Sequence, residues 1–380
     1  MSLIIDEHRQ YLSDTVRVSA YRDAINEIVK PDSVVLDLGA GSGIMGLLAC
    51  QAGAKRVYSI EADPIIGLTR EICHANGFDD RIRFIKGFST QVQLPEKVDV
   101  VVSDQIGRFG FEAGVLEYFS DARARFLKPG GILIPSRIDL HVAPVESEEM
   151  FQRIEFWNNS ATGFNLTPVR PLAANTGYPV KYRAEELLGA PADLKSLDLY
   201  ANTNASFKGE ASLLIARSGV LHGIGGWFSA QLSPNVSMTN SPLAAQSINR
   251  MNVFFPIDHP VTVTHGDRIQ VQMHVIPSET IVSWRVKVYA AASGREIASF
   301  AHSTWNGALV CKEDLERTQL QHAPALTPRG QARLTVLTLC DGVRALAEVE
   351  KETFSRHPDL FRGPDEAALF VAEVVTRYTT

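Results

Sequence analysis

Cysteine is scarce: the 380 residues hold four, Cys50, Cys73, Cys311 and Cys340. None forms a Cys-x-x-Cys pair or stands at zinc-finger spacing from a histidine. That argues against a disulfide framework and against a thiolate metal site. The four read as buried apolar thiols, and no metal is expected. Long apolar runs are missing too. None approaches the ~20 residues of a membrane helix, and the polar start Met-Ser-Leu-Ile-Ile-Asp-Glu-His-Arg is unlike a signal peptide. A cytoplasmic protein without membrane contact is expected. Basic excess is the third absence: 37 Lys and Arg stand against 43 Asp and Glu, a net charge of −6. General nucleic-acid binders carry a basic stripe, so direct nucleic-acid binding is not expected. The acidity is compatible with a cationic substrate. The sequence carries no internal repeat and no low-complexity tract.

What remains is globular in composition, 45% hydrophobic and 21% charged. The length suggests roughly two or three domains. In residues 1–30 the spacing of Tyr11, Leu12, Val16, Val18, Tyr21, Ala24, Ile25 and Ile28 suits an amphipathic helix that ends at Lys30-Pro31. From 31 to 135, short apolar strands (Val34–Leu38, Arg56–Ile60, Ile82–Lys86, Val98–Ser103, Ile132–Ile134) alternate with helical segments (Gly43–Ala52, Pro64–Asn76, Leu116–Phe126). This predicts an α/β domain with a doubly wound, parallel, Rossmann-like sheet. Residues 136–312 are β-rich and punctuated by turn residues, which predicts an antiparallel β-barrel or sandwich. An excursion from it spans about 167–195. Residues 322–380 read as a small, mainly helical C-terminal unit.

The chemistry centres on one loop. Val35-Leu-Asp-Leu-Gly-Ala-Gly-Ser-Gly43 follows an apolar strand and opens a helix. Glycines there let a ligand approach the backbone, and the helix N-terminus offers free N–H groups to an anion. Glu61 ends the next strand, where a carboxylate can bind both ribose hydroxyls. The Gly41-Ser-Gly43-Ile-Met-Gly46 run also matches a dinucleotide fingerprint, so an NAD-dependent oxidoreductase is a competing reading. The Gly39-x-Gly41-x-Gly43 register, with Asp37 two residues before it, favours S-adenosylmethionine, whose methionine carboxylate would be the anion.

Several further motifs, in order, resemble the protein arginine methyltransferase family. They are the segment His8 to Ile25, the run Val35–Ala49, Ala52 to Glu61, Leu94 to Ser103, and Phe126-Leu-Lys-Pro-Gly-Gly-Ile-Leu-Ile-Pro135. The resemblance covers most of the first 310 residues and suggests a divergent, bacterial-type member with an extra C-terminal unit. It implies an S-adenosylmethionine-dependent N-methyltransferase acting on a guanidino-type nitrogen of a protein, peptide or small molecule. Residues 1–30 would cover the cofactor. Arg17 would pair with its carboxylate, Glu61 would hold the ribose, and Thr90 falls where the family places an acidic residue near the adenine. Phe156-Trp157 with Gly163-Phe164 resembles the start of a dimerisation arm, which would give the excursion a purpose and the chain a homodimer.

The resemblance also assigns an acceptor loop, Ser103-Asp-Gln-Ile-Gly-Arg-Phe-Gly-Phe-Glu112. Two carboxylates, Asp104 and Glu112, would grip a guanidinium. Arginine stays protonated in water, and a bidentate grip orients its nitrogen toward the methyl group. The loop departs from the family pattern. Its first glutamate is an aspartate and it is one residue shorter. The family's Thr-His-Trp element falls at Ser247-Ile248-Asn249, without the histidine. His302 and Trp305, in His302-Ser-Thr-Trp305, offer similar residues on a later strand, and with Tyr11 they are candidate substrate residues. These departures leave open a non-catalytic regulatory or scaffold protein that keeps the cofactor fold. The C-terminal unit faintly resembles small winged-helix modules that bind precursor peptides.

Overall fold

A computed structural model describes residues 4–158, 162–201, 206–309 and 312–379. They form two compact units, Met1–Ala308 and Leu309–Thr380.

The first unit opens with two helices, α1 (Ile4–Ser13) and α2 (Thr15–Ile28), where the spacing predicted one. Asp14 makes the break. Its carboxylate accepts from the Arg17 backbone N–H at 3.1 Å, the N-cap bond that an aspartate offers more readily than a helix interior does. Helix α2 buries Arg17, Val18, Tyr21, Ala24 and Ile25, whereas α1 buries none of its residues.

Strands β1 (Val34–Leu38), β2 (Arg56–Glu61), β3 (Ile82–Lys86), β4 (Val98–Val102) and β5 (Leu127–Ile134) alternate with helices α3 (Ile44–Gln51), α4 (Ile66–Ala75) and α5 (Val115–Arg125). The sheet is wholly parallel, in the order β3-β2-β1-β4-β5. All five residues of β1 are buried, as a strand covered on both faces requires. The order reverses between β1 and β4. In open α/β sheets, ligands bind outside the strand C-termini at such a switch point. The glycine loop after β1, Glu61 at the end of β2 and the acidic loop after β4 all fall there.

Strand β6 (Arg137–Val145) begins the β-rich part. Helices α6 (Glu148–Glu155) and α7 (Arg170–Ala174) follow, then β7 (Tyr178–Val180) and β8 (Ala192–Asp198). The helical path away from the sheet therefore starts at Glu148, because Met150, Phe151 and Ile154 form a buried stripe. Ala192–Asp198 already pairs with β6. The remaining strands are β9 (Phe207–Leu214), β10 (Gly219–Gln231), β11 (Ser237–Thr239), β12 (Asn252–Val263), β13 (Arg268–Ile276), β14 (Ile281–Tyr289) and β15 (Glu296–Ser303). They build two antiparallel sheets. One runs β7-β12-β10-β6-β8 with β11 beside β10, and the other runs β15-β14-β13-β9. Among the described residues these ladders do not close into a ring.

The second unit carries α8 (Lys312–Arg317), α9 (Pro328–Leu339), α10 (Leu346–Arg356) and α11 (Pro364–Tyr378). Its own core includes Val336, Leu339, Val349, Phe370 and Val374. Cys50 and Cys73 are buried and Cys340 is partly buried, all as free thiols. Cys311 lies outside the described residues.

Candidate active site

Three glycines of the loop after β1 take left-handed backbone: φ is +73° at Gly39, +52° at Gly41 and +80° at Gly43. The turn lets neighbouring groups come close. A Cβ on Gly39 would lie 2.3 Å from the Gln105 amide nitrogen, and one on Gly41 would lie 2.6 Å from His8 Cε1. The Glu61 carboxylate accepts from the Gly41 N–H and the Asp63 N–H, each at 2.8 Å. Asp37 is buried beneath the turn, accepts from Gly46 N–H at 2.9 Å, and is raised by burial to a pKa of about 7.

Arg17 points from α2 toward the same crevice. One of its terminal nitrogens donates to Asp104 and the other to the Tyr11 carbonyl at 2.5 Å, while its charge lies 5.0 Å from the centre of the Tyr11 ring. Its Nε is buried and has no hydrogen-bond partner. Thr90 is exposed in the turn after β3.

In the loop after β4, Asp104 is a hub. Its Oδ2 accepts from Arg17 and, at 3.1 Å, from Arg250 Nη2, and its Oδ1 lies 3.3 Å from the Tyr21 hydroxyl. Tyr21 also donates to the Ser103 carbonyl at 2.9 Å, and Arg250 Nη1 donates to the Gly107 carbonyl at 3.2 Å. Burial pushes the Tyr21 hydroxyl well above its ordinary value. Burial opposes the charge on Arg250, but Asp104 beside it outweighs that and holds the guanidinium protonated. Glu112 folds back onto its own loop, accepting from Phe109 N–H at 2.9 Å and Phe111 N–H at 3.3 Å. Burial raises its carboxyl, and the backbone donors partly oppose the shift. Glu112 packs against Gly107: its Oε2 would lie 2.3 Å from a Cβ there.

The structure thus gathers Arg17, Tyr11, Asp37, Gly39, Gly41, Gly43, Glu61, Asp104 and Glu112 around the strand ends. His302 and Trp305 are elsewhere. His302 is on β15, buried and stacked on Trp284 of β14, with ring centres 5.3 Å apart. Trp305 is 69% exposed in the turn beyond. Sequence reading missed Arg250, Tyr21 and Gln105. Arg250 follows Ser247-Ile248-Asn249 directly, so the altered element itself was the signal: a cation stands two positions beyond the missing histidine.

A parallel sheet with this glycine turn at its switch point, and a carboxylate ending the adjacent strand, fits an S-adenosylmethionine-dependent methyltransferase and a dinucleotide enzyme alike. Comparisons with known proteins narrow the class. Residues 136–285 match the arginine methyltransferase oligomerization subdomain, and residues 20–157 match the ribosomal protein L11 methyltransferase family. The chain is 30% identical over 286 residues to protein arginine N-methyltransferase 6 of Xenopus laevis, covering 72% of this chain and 84% of that one. It is 33% identical over 257 residues to protein arginine N-methyltransferase 1 of Chlamydomonas reinhardtii, covering 65% and 74%. A solved Trypanosoma brucei PRMT1 enzyme-prozyme heterotetrameric complex with AdoHcy superposes with a TM-score of 0.70 at 25% identity, covering 78% of this chain and 97% of that one. The fold of protein arginine methyltransferase 10 from Arabidopsis thaliana also matches, with a TM-score of 0.69 at 23% identity and the same coverage. The chain belongs to the protein arginine methyltransferase family, and S-adenosylmethionine is its cofactor. The oxidoreductase reading falls with that. Among the described residues no cluster of ligating side chains could hold a metal ion, and no helix is long and apolar enough to cross a membrane.

Proposed function

We propose that this enzyme methylates the guanidinium nitrogen of arginine in a protein or peptide. The observation that carries the reading is Asp104. It lies in the loop after β4 at the switch point and already receives guanidinium donors. A substrate arginine needs such a partner, since charge-assisted pairs orient a planar guanidinium as well as hold it. Glu112, packed against Gly107, is the second carboxylate of the acceptor loop. The non-catalytic alternative lacks a comparable observation in its favour.

The cofactor side fits the same reading. Glu61 has about four lone-pair sites, and backbone N–H groups use two. Two remain, one on each oxygen, matching two ribose hydroxyls. The unpartnered Nε of Arg17 is a donor in reserve for a carboxylate. The left-handed glycines leave the backbone open to a close ligand. Asp37 braces the turn from beneath, and Thr90 is assigned to the adenine side. When bound, S-adenosylmethionine supplies an activated methyl group on a sulfonium. The protein's task is then positioning: Arg17 and Glu61 orient the donor, Asp104 and Glu112 the acceptor. Tyr11 covers Arg17 and is placed at the rim. Phe156 and Phe164, 46% and 74% exposed, support an arm that docks on a second copy. We also assign the enzyme to the cytoplasm.

Radiolabelled methyl transfer over arginine-rich peptides, free arginine and guanidino metabolites tests the function. Label in peptide arginine is expected, and none in arginine-free peptides. Asp104→Ala and Glu112→Ala should abolish turnover while keeping cofactor affinity. Glu61→Ala should weaken cofactor binding severely. Full activity in both acceptor-loop variants would overturn the assignment.

A further inference from the structure

We propose that Arg250 is an internal competitor for the acceptor seat: its guanidinium holds Asp104 as a stand-in for the substrate, so every incoming guanidinium binds only by displacing it. The inference rests on the assignment of Asp104 to the acceptor made above.

The geometry is that of an occupied seat. Arg250 reaches the acceptor loop with both terminal nitrogens, Nη2 to the Asp104 carboxylate at 3.1 Å and Nη1 to the Gly107 carbonyl at 3.2 Å. A substrate guanidinium would use the same two-pronged pattern on this loop. Asp104 has little room for another. Its oxygens already meet Arg17, Arg250 and the Tyr21 hydroxyl, and a carboxylate offers about four lone-pair sites. A third guanidinium would also crowd three positive charges around one negative charge. Substrate therefore binds by exchange, with the Arg250 head swinging out.

The exchange is local. The Asn249 N–H is held by Asp14 at 2.7 Å, so the backbone beside Arg250 stays fixed while the side chain moves. Asp104 keeps Arg17 and Tyr21, so no buried charge is stranded. For a free guanidine the exchange returns one ion pair for another and gains little. A peptide brings contacts beyond its guanidinium that offset the lost Arg250 bonds.

The test uses Arg250→Met, which keeps the apolar stem, and Arg250→Lys, which keeps the charge without the fork. Agmatine binding is measured by calorimetry with S-adenosylhomocysteine present, and peptide KM and kcat by methyl transfer. In Arg250→Met, agmatine should bind at least about threefold tighter, the scale of one exposed to part-buried ion pair. Peptide KM should fall by a similar factor. Arg250→Lys should lie between Arg250→Met and wild type, and adding Asp104→Asn should cancel the gain. If Arg250→Met unfolds, Arg250→Gln carries the same measurement. Unchanged or weaker agmatine binding in a variant that melts like wild type overturns the proposal. Failure of the wild type to methylate any arginine substrate would instead sink the function proposed above. The agmatine titration would still report whether Arg250 guards Asp104.

Discussion

Asp14 and Asn249 are joined by a single hydrogen bond across 235 residues of sequence: Asp14 Oδ2 accepts the Asn249 N–H at 2.7 Å. The other oxygen caps α2 at Arg17. One carboxylate thus sets both the start of the helix that carries Arg17 and the backbone that carries Arg250. Losing it removes an N-cap, worth about 1 kcal/mol, and strands a donor, worth about 1–3 kcal/mol. Asp14→Ala should unfold at lower urea concentration, with about 2–4 kcal/mol less stability, and Asp14→Asn should recover part of that. A change below about 0.5 kcal/mol in Asp14→Ala would contradict the bracing role.

Gly41 has two reasons to be glycine, and they can be separated. Its φ of +52° costs a residue with a Cβ about 1–2 kcal/mol, and that Cβ would also meet His8. Gly41→Ala should lower both the melting temperature and the affinity for S-adenosylhomocysteine. Adding His8→Ala should restore only the contact part. A double-mutant cycle with no coupling would show that the His8 contact contributes nothing.

The pH dependence has a definite sign. Asp37 has a folded pKa of about 7, against roughly 3.9 for an unfolded aspartate. Between those values the folded protein binds more protons than the unfolded chain. The stability contribution is therefore complete below about pH 4 and declines as pH rises to about 7, by at most about 4 kcal/mol. Glu112, also raised by burial, acts in the same direction. Thermal melts should show Asp37→Asn flattening this decline. A variant profile parallel to wild type from pH 4 to 7 would refute it.

His302 should be replaceable. Both its ring nitrogens are buried without partners, and burial lowers its pKa. Its stability contribution is therefore complete above about pH 6.5, the unfolded value, and is lost as pH falls below it. His302→Phe keeps the stacking on Trp284 and removes the orphaned nitrogens. It should leave KM and kcat unchanged and raise the melting temperature, most clearly below pH 6.5. Loss of activity would return this residue to the site.

The turn after β1 was legible in sequence because it depends on local backbone. The glycine turn, Asp37 and Glu61 lie within one strand-turn-helix and the strand that follows it. The cluster around Asp104 depends on residues distant in sequence. Arg250 lies 146 positions from Asp104, and no local periodicity foretells their meeting. Likewise, the apolar spacing of residues 11–28 was read correctly as helical, yet the break at Asp14 needed the cap to be seen. The helical excursion was placed too late because its first helix buries a short stripe next to exposed charges. His302-Ser-Thr-Trp305 misled because it matched residue types without matching the strand end that matters.

Glu61 has a consequence for how a ligand would arrive. Its carboxylate bridges Gly41 and Asp63, so the turn after β1 and the end of β2 form one braced edge before any ligand is bound. The ordering entropy of that edge is spent in folding the sheet, and binding does not spend it again. Association at this edge should then be lock-and-key, leaving induced fit to the swing of an arginine.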